Sequence, residues 1–289
     1  MLKKLNSEGY LLLKDFFSKK KIDLINKKIE SFFEKNKYLG PAVNVAGLSS
    51  SELLSYGNLR KEAISKNPNY MLNQDLIKKG DKNYRNLTIG QNIEEPLINV
   101  PEIFDLIVNK DILSLVSNYF NNRKVKIGYV KIRRYFANNT PNFDTNHFHF
   151  DDNGQDLVKA IIYLSDIKNI DDGVFCYVSN SKHNVINEPS YSQINPNIRS
   201  DEQIHRFYGE NSVKNIFGSS GSVVIADTLG FHKGAKTKTK DRTVLYVNYV
   251  LEEEYGGKGT RQKISSKHFK DNPELLEIFE YFEFVDNKI

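Results

Sequence analysis

Ile22, Leu24, Ile25, Ile29, Phe32 and Phe33 recur at near-helical spacing and predict an amphipathic helix from Ser18 to about Asn36, with Ser18 as its N-cap. The apolar run Tyr10-Leu-Leu-Leu13 just before it reads as a short strand. Helical spacing returns from Pro101 to about Asn121, carried by Ile103, Phe104, Ile107, Ile112, Leu113, Val116 and Phe120. Residues 39–86, rich in Asn, Ser, Gly and Lys, predict loops with a short helix or two. The period then changes. Short runs rich in Val, Ile, Tyr and Phe follow at 126–136, 156–164, 173–178, 221–226 and 242–250, separated by Asp, Asn and Gly. Such strands imply an antiparallel sandwich or barrel, with the upstream helices covering the outer face of one sheet. A polar tail after Glu252 carries a last helical patch, Leu275 to Phe284. With no internal repeat and no linker, the expectation is one domain over 1–289: a mainly helical part (1–125), a β core (126–252) and a C-terminal extension (253–289).

The 289 residues are 39% hydrophobic, 27% charged and 12% aromatic, a balance that excludes disordered, collagen-like and coiled-coil chains. No stretch approaches the ~18 uncharged apolar residues of a membrane span, and the mean hydropathy is -0.52. The N-terminus lacks the ~7–15 residue apolar core of a signal peptide, so the expected location is cytoplasmic. Lys plus Arg (41) exceed Asp plus Glu (36) only mildly. Lys19-Lys20-Lys21 and Lys27-Lys28 fall on the polar side of the predicted helix, so no nucleic-acid partner is expected. The one cysteine, Cys176, lies in an apolar strand and reads as a small buried hydrophobe. Any metal must therefore sit on His, Asp or Glu.

The six histidines are the most informative residues. In Asn146-His147-Phe148-His149-Phe150-Asp151-Asp152, strand alternation lets His149 and Asp151 present an imidazole and a carboxylate on one face. Asp152 would point the other way. His232, just beyond the run 221–226, supplies a third candidate ligand. Two histidines and one carboxylate occupy one face of an octahedral iron(II) and leave three positions open. Ten residues further on, Arg242 offers a guanidinium that can grip a carboxylate through two parallel hydrogen bonds, as the far end of a metal-chelating 2-oxoglutarate requires.

These residues, in this order, resemble the phytanoyl-CoA dioxygenase family of iron(II)- and 2-oxoglutarate-dependent oxygenases, and the resemblance covers most of the chain. Glu8 to Ser18 is similar to that family's opening strand and helix. Ala160 to Asp166 and Asp172 to His183 are similar to its strand, glycine and turn signature, with Val178-Ser-Asn180 where Val-Pro-Gly is usual. Gly221 to Asp227, His232-Lys-Gly234 and Arg242 are similar to its closing strand, distal histidine and 2-oxoglutarate arginine. The resemblance implies a double-stranded β-helix, a cupin-like jelly roll of two sheets with flanking helices and the metal between the sheets. It also implies Fe(II), 2-oxoglutarate and O2 as cofactor and co-substrates, with His149, Asp151 and His232 as ligands. Hydroxylation of a small-molecule or carrier-bound substrate, with release of succinate and CO2, is the implied outcome. Asp151 argues against halogenation, because related halogenases have a small residue there.

Other residues carry weaker expectations. His147, two before His149, opens a rival His-x-His metal site of cupin type without 2-oxoglutarate; otherwise a role supporting the ligands or facing the substrate is expected. Lys131 and Arg133 alternate with Tyr129 and Tyr135 on one strand face, with Arg134 on the other. If that face lines the cavity, it offers positive charge to an anionic substrate. Thr237 is a candidate helper of 2-oxoglutarate. His183 is expected to be structural, His205 to lie near or away from the pocket, and His268 at the surface. A non-catalytic jelly-roll binding module is the remaining alternative, and oligomeric state is left open.

Overall fold

The computed structural model describes residues 1–35, 42–44, 88–93, 95–138, 144–151, 157–183, 186, 190, 197–251 and 261–285. The chain opens with helix α1 (Leu2–Glu8), strand β1 (Tyr10–Leu13) and helix α2 (Lys19–Lys35). In α2 the buried residues are Ile22, Ile25, Ile29 and Phe33, one stripe along the helix. Strands β2 (Ala42–Asn44) and β3 (Thr88–Ile93) follow. The rest of the expectation for 39–86 lies outside the described residues.

The helix expected over 101–121 is broken. Single helical turns at Pro96–Asn99 and Phe104–Ile107 flank a 3-10 turn, and a proper helix, α3, runs only from Lys110 to Tyr119. The break has a local cause: the Asn109 side chain accepts hydrogen bonds from the Asp111 and Ile112 amides and starts a new helix there.

Next come β4 (Val125–Tyr135), β5 (Leu157–Tyr163), β6 (Phe175–Val178), helix α4 (Asp201–Tyr208), β7 (Val213–Ile216), β8 (Val223–Asp227), β9 (His232–Gly234) and β10 (Arg242–Leu251). The C-terminal patch expected to be helical forms a 3-10 stretch, Pro273–Phe279, between two short parallel strands, β11 (Lys263–Ser265) and β12 (Glu283–Val285).

The main sheet has seven strands in the order β1-β8-β5-β10-β4-β3-β2, and all its pairings are antiparallel. A smaller antiparallel sheet, β7-β6-β9, faces it. This is the jelly roll expected from the sequence, extended by three strands from the part before residue 125. Alternation along the strands divides the interior in two. Val158, Ala160, Ile162, Val223, Ile225, Leu245 and Val247 point outward and pack with Ile22, Ile25, Ile29, Val116 and other helical residues. Ile161, Tyr163, Val224, Ala226 and Val244 point inward and meet Phe175, Tyr177 and Phe231 between the sheets. The helices thus seal the outer face, and the cleft between the sheets is left for chemistry. Arg134 points outward, pairs with Glu30 of α2 and covers the Phe33 ring at 4.4 Å.

Candidate metal centre

His149, Asp151 and His232 come together at one end of this cleft, each offering one ligand atom, all within 4.8 Å of one another. Backbone pairing fixes them. His149 and His232 exchange amide-to-carbonyl hydrogen bonds of 2.9 and 2.8 Å, and the Asp151 amide donates to the Thr228 carbonyl at 2.8 Å. The two imidazoles are also oriented: Nδ1 of His149 lies 3.0 Å from the His147 carbonyl, and Nδ1 of His232 lies 2.9 Å from the Gly230 carbonyl. A carbonyl accepts only from a protonated nitrogen, so these contacts place the Nδ1 proton away from the cluster and leave Nε2 of each ring as the atom available to a metal. This is how histidine ligands are held for a metal. Nε2 of His232 is 3.6 Å from Oδ2 of Asp151.

The protonation states suit a cation. Burial, with His149 alongside, pulls the His232 imidazole down to about 3, so it is neutral at physiological pH. Burial alone would raise the Asp151 carboxyl, but the Lys159 ammonium beside it outweighs burial and holds the group well below the usual carboxylate range. The Lys159 ammonium lies 2.5 Å from Oδ2 of Asp151, on the site where a metal would bring its charge.

Arg242 opens β10 and is 2% exposed. One of its Nη groups donates to the Gly173 carbonyl, and its guanidinium lies over the Tyr135 ring at 4.1 Å. Its Nε and other Nη are buried with no hydrogen-bond partner. Two orphaned donors on one buried cation are a strong sign of a missing anion, since buried polar groups are nearly always satisfied. Gly234 leaves the approach open: a Cβ there would stand 3.2 Å from the Nη2 atom. A cavity of about 110 Å³ adjoins both groups, lined by Gly234 and Tyr135 beside the arginine and by His149, His232 and Lys159 beside the metal ligands.

The remaining expected residues divide. Lys131 and Arg133 line the cavity with Tyr129, so their face of β4 is the inward one. Arg133 also donates to the Asn92 side chain at 2.7 Å. Thr237 is buried beside Gly173, but its hydroxyl donates to the Lys240 carbonyl and so ties the loop before Arg242. His147 falls in a bend after the 3-10 turn Asp144–Asn146, so strand alternation does not carry it to the side of His149. It serves the centre through its carbonyl, and Thr145 takes the place on the cavity wall. His183 lies in a 3-10 turn, His205 in α4, and His268 stacks on Phe104 at 4.3 Å. Asp152 lies outside the described residues. Tyr135 lines the cavity with the rest of that β4 face, and Lys159 and Tyr246, which were not expected from sequence, complete the wall. For Lys159 there was a signal, a lysine inside the otherwise apolar run Leu157 to Leu164.

No family model matches the chain, and no curated protein matches it in sequence. Its fold is similar to that of several solved structures. One is HygX from Streptomyces hygroscopicus with nickel, 2-oxoglutarate and hygromycin B bound, with TM-score 0.53, 14% identity, and 87% of this chain and 86% of that one covered. Another is SnoK, a non-heme alpha ketoglutarate dependent carbocyclase from nogalamycin biosynthesis, with TM-score 0.56, 13% identity and coverage of 86% and 83%. A third is EctD from S. alaskensis with 2-oxoglutarate and 5-hydroxyectoine, with TM-score 0.54, 12% identity and coverage of 88% and 76%. At these identities the likeness establishes the fold, the jelly-roll double-stranded β-helix.

Proposed function

We propose that this chain is an iron(II)- and 2-oxoglutarate-dependent oxygenase that hydroxylates a small anionic molecule. The observation that carries the proposal is the pairing, across one cavity, of a two-histidine, one-carboxylate cluster with an arginine holding two orphaned donors. Each half fits its expected guest. Nε2 of His149, Nε2 of His232 and a carboxylate oxygen of Asp151 form the ligand set suited to iron(II) with open positions. Arg242 keeps a guanidinium edge for a carboxylate, with Gly234 giving access to it. A cupin-type site on His147 has no support of this kind, because the cluster forms without that imidazole.

When bound, iron and the keto acid supply the oxidising chemistry, in which O2 is consumed and 2-oxoglutarate leaves as succinate and CO2. The protein's own part is positional and electrostatic. The carbonyls of His147 and Gly230 keep both imidazoles in the ligating tautomer, and Tyr135 stacks under the Arg242 guanidinium. Thr237 ties the loop before it. Lys159, which lines the cavity, compensates the Asp151 charge that a bound cation would otherwise neutralise. With Lys131 and Arg133 on the same wall, the substrate side is cationic and suited to a carboxylate or phosphate group. HygX and EctD, solved with hygromycin B and 5-hydroxyectoine, support a small-molecule substrate without identifying it.

The test is anaerobic titration of the Fe(II)-loaded protein with 2-oxoglutarate. The expected result is a weak visible charge-transfer band, followed in air by succinate release that anionic candidate substrates accelerate. Bound iron without a band overturns the 2-oxoglutarate reading, and no bound iron overturns the metal centre.

A further inference from the structure

Between β8 and β9 the segment Asp227–His232 does more than connect strands. It supplies His232 itself, the Gly230 carbonyl that orients the His232 ring, and the Thr228 carbonyl that receives the Asp151 amide. Two of the three candidate ligands therefore depend on where this segment lies, and what holds it comes from the turn after β6, the one place where the chain departs from the signature it resembles. The Ser181 hydroxyl accepts the Phe231 amide at 2.7 Å, one residue before His232. The Lys182 ammonium reaches Oδ2 of Asp227, a carboxylate only 1% exposed. Tyr119 of α3 donates to the same oxygen at 2.6 Å, and Lys182 lies 3.1 Å from the Tyr119 hydroxyl. The other oxygen, Oδ1, accepts the Leu229 amide at 3.1 Å. Tyr177, at the end of β6, donates to the Asp227 carbonyl at 2.8 Å. Gly230 packs so closely that a Cβ there would overlap the Tyr177 hydroxyl.

We infer that Ser181 and Lys182, acting through Asp227 and the Phe231 amide, are positioning residues for the metal centre. They fix the segment that carries His232 and anchors Asp151, while touching neither metal nor substrate. The inference rests on the reading of His149, Asp151 and His232 as metal ligands. The turn can do this because Asn180 adopts a φ of 62°. Asn is among the few residues besides Gly that tolerate this left-handed conformation, and it stands where the resembling signature has glycine.

The experiment is Co(II) titration of metal-free protein, read by the visible absorption of the bound ion, together with the melting temperature of each metal-free variant. Ser181→Ala, Tyr119→Phe, Lys182→Met and Lys182→Arg are compared with Lys126→Met. Lys126 provides a lysine ion pair away from the site, since it is 2% exposed and 3.0 Å from Glu280, just past the C-terminal 3-10 stretch. Supporting bonds of this kind are worth about 10–100-fold in metal affinity. Ser181→Ala and Lys182→Met are expected to lose about that much affinity and to alter the Co(II) spectrum, Lys182→Arg to recover most of it, and Lys126→Met to lower the melting temperature with Co(II) affinity unchanged. If Lys182→Met does not fold, Ser181→Ala and Tyr119→Phe carry the test. Wild-type affinity and spectrum in the Ser181 and Lys182 variants, or a loss in Lys126→Met that matches theirs, overturns the inference. A wild-type protein that binds no Co(II) at all refutes instead the metal-centre reading on which it rests.

Discussion

Replacing Arg242 by methionine separates a binding arginine from a structural one. Hydrogen bonds to charged groups contribute about 1.5–3 kcal/mol each, so losing a two-pronged grip on the 2-oxoglutarate carboxylate costs about 3–6 kcal/mol, roughly 10²–10⁴-fold in Kd. The metal-free, ligand-free protein has a different balance. Methionine forfeits the bond to the Gly173 carbonyl and the stack on Tyr135. Those are worth about 1.5–3 and about 2 kcal/mol. It also removes two buried donors that lack partners. Each such donor costs about 1–3 kcal/mol, so the terms largely offset. Removing a partner from a buried ion pair would instead destabilise by about 3–5 kcal/mol. The assay is thermal melting of Mn(II)-loaded protein with and without 2-oxoglutarate. At a hundred times the wild-type Kd the ligand stabilises wild type by about 2.7 kcal/mol, or roughly 5 °C at about 2 °C per kcal/mol. A hundredfold weaker variant gains about 0.4 kcal/mol, or roughly 1 °C, at the same concentration. The reasoning fails if Arg242→Met keeps the wild-type shift, or if its ligand-free form melts about 6 °C or more below wild type.

Three other outcomes are expected. His232, with His149, Asp151 and Lys159 around it, is held down to about 3 in the folded metal-free protein. The unfolded chain therefore takes up a proton near 6.5 that the folded one refuses, and stability falls as pH drops from 6.5 toward 3. Urea unfolding at pH 6.5 and 5.0 should show wild type losing about 2 kcal/mol more than His232→Gln, and equal losses count against it. Lys159→Met leaves the Asp151 carboxylate without its 2.5 Å partner. Its metal-free form should melt lower, while Mn(II) affinity measured by calorimetry rises about tenfold or more; unchanged affinity would mean that Lys159 does not compete with the ion. Burial pushes the Cys176 thiol up to about 11. At pH 8 only about one thiol in a thousand is ionised, so mass spectrometry should find no iodoacetamide adduct until denaturant is added.

The β core was legible because its strands state their period. The runs at 126–136, 156–164 and 242–250 correspond to β4, β5 and β10 within a residue or two, and Arg134 faces Glu30 as alternation requires. The order of His149, Asp151, His232 and Arg242 was legible from residue type and spacing, with Arg242 opening a readable strand and His232 following one, while His149 lies only in an isolated bridge. What escaped was structure fixed by partners distant in sequence. Helix α4 has a capping box of Ser200 and Gln203 but buries only Ile204, too little for a periodic stripe. Helix α1 buries only Leu5. Strand β7 exists because it pairs with β6, and nothing in Val213-Lys-Asn-Ile216 announces it. Lys182 and Asp227 are 45 residues apart, and neither neighbourhood marks the other as its partner. His147 is not carried to the side of His149 by alternation, which holds only inside a strand, because the chain there is still leaving a 3-10 turn.

The two halves of the site are stitched into the protein with unequal strength. Arg242 begins a strand that pairs with β4 from Arg242 to Leu251 and with β5 from Val244 to Val250. Its amides can exchange with solvent deuterium only when the sheet itself opens. His149 and His232 meet at an isolated two-bond bridge, and β9 is three residues long. Such a patch opens in small local excursions at far less free energy than the sheet. Because a metal binds only the closed arrangement, loading becomes a local folding reaction, and slowed exchange at the His149 and His232 amides would be its signature. On the proposed reading, a bound metal would be lost to a chelator and regained while the arginine half stays assembled, so metal loss would be reversible without passing through the unfolded chain.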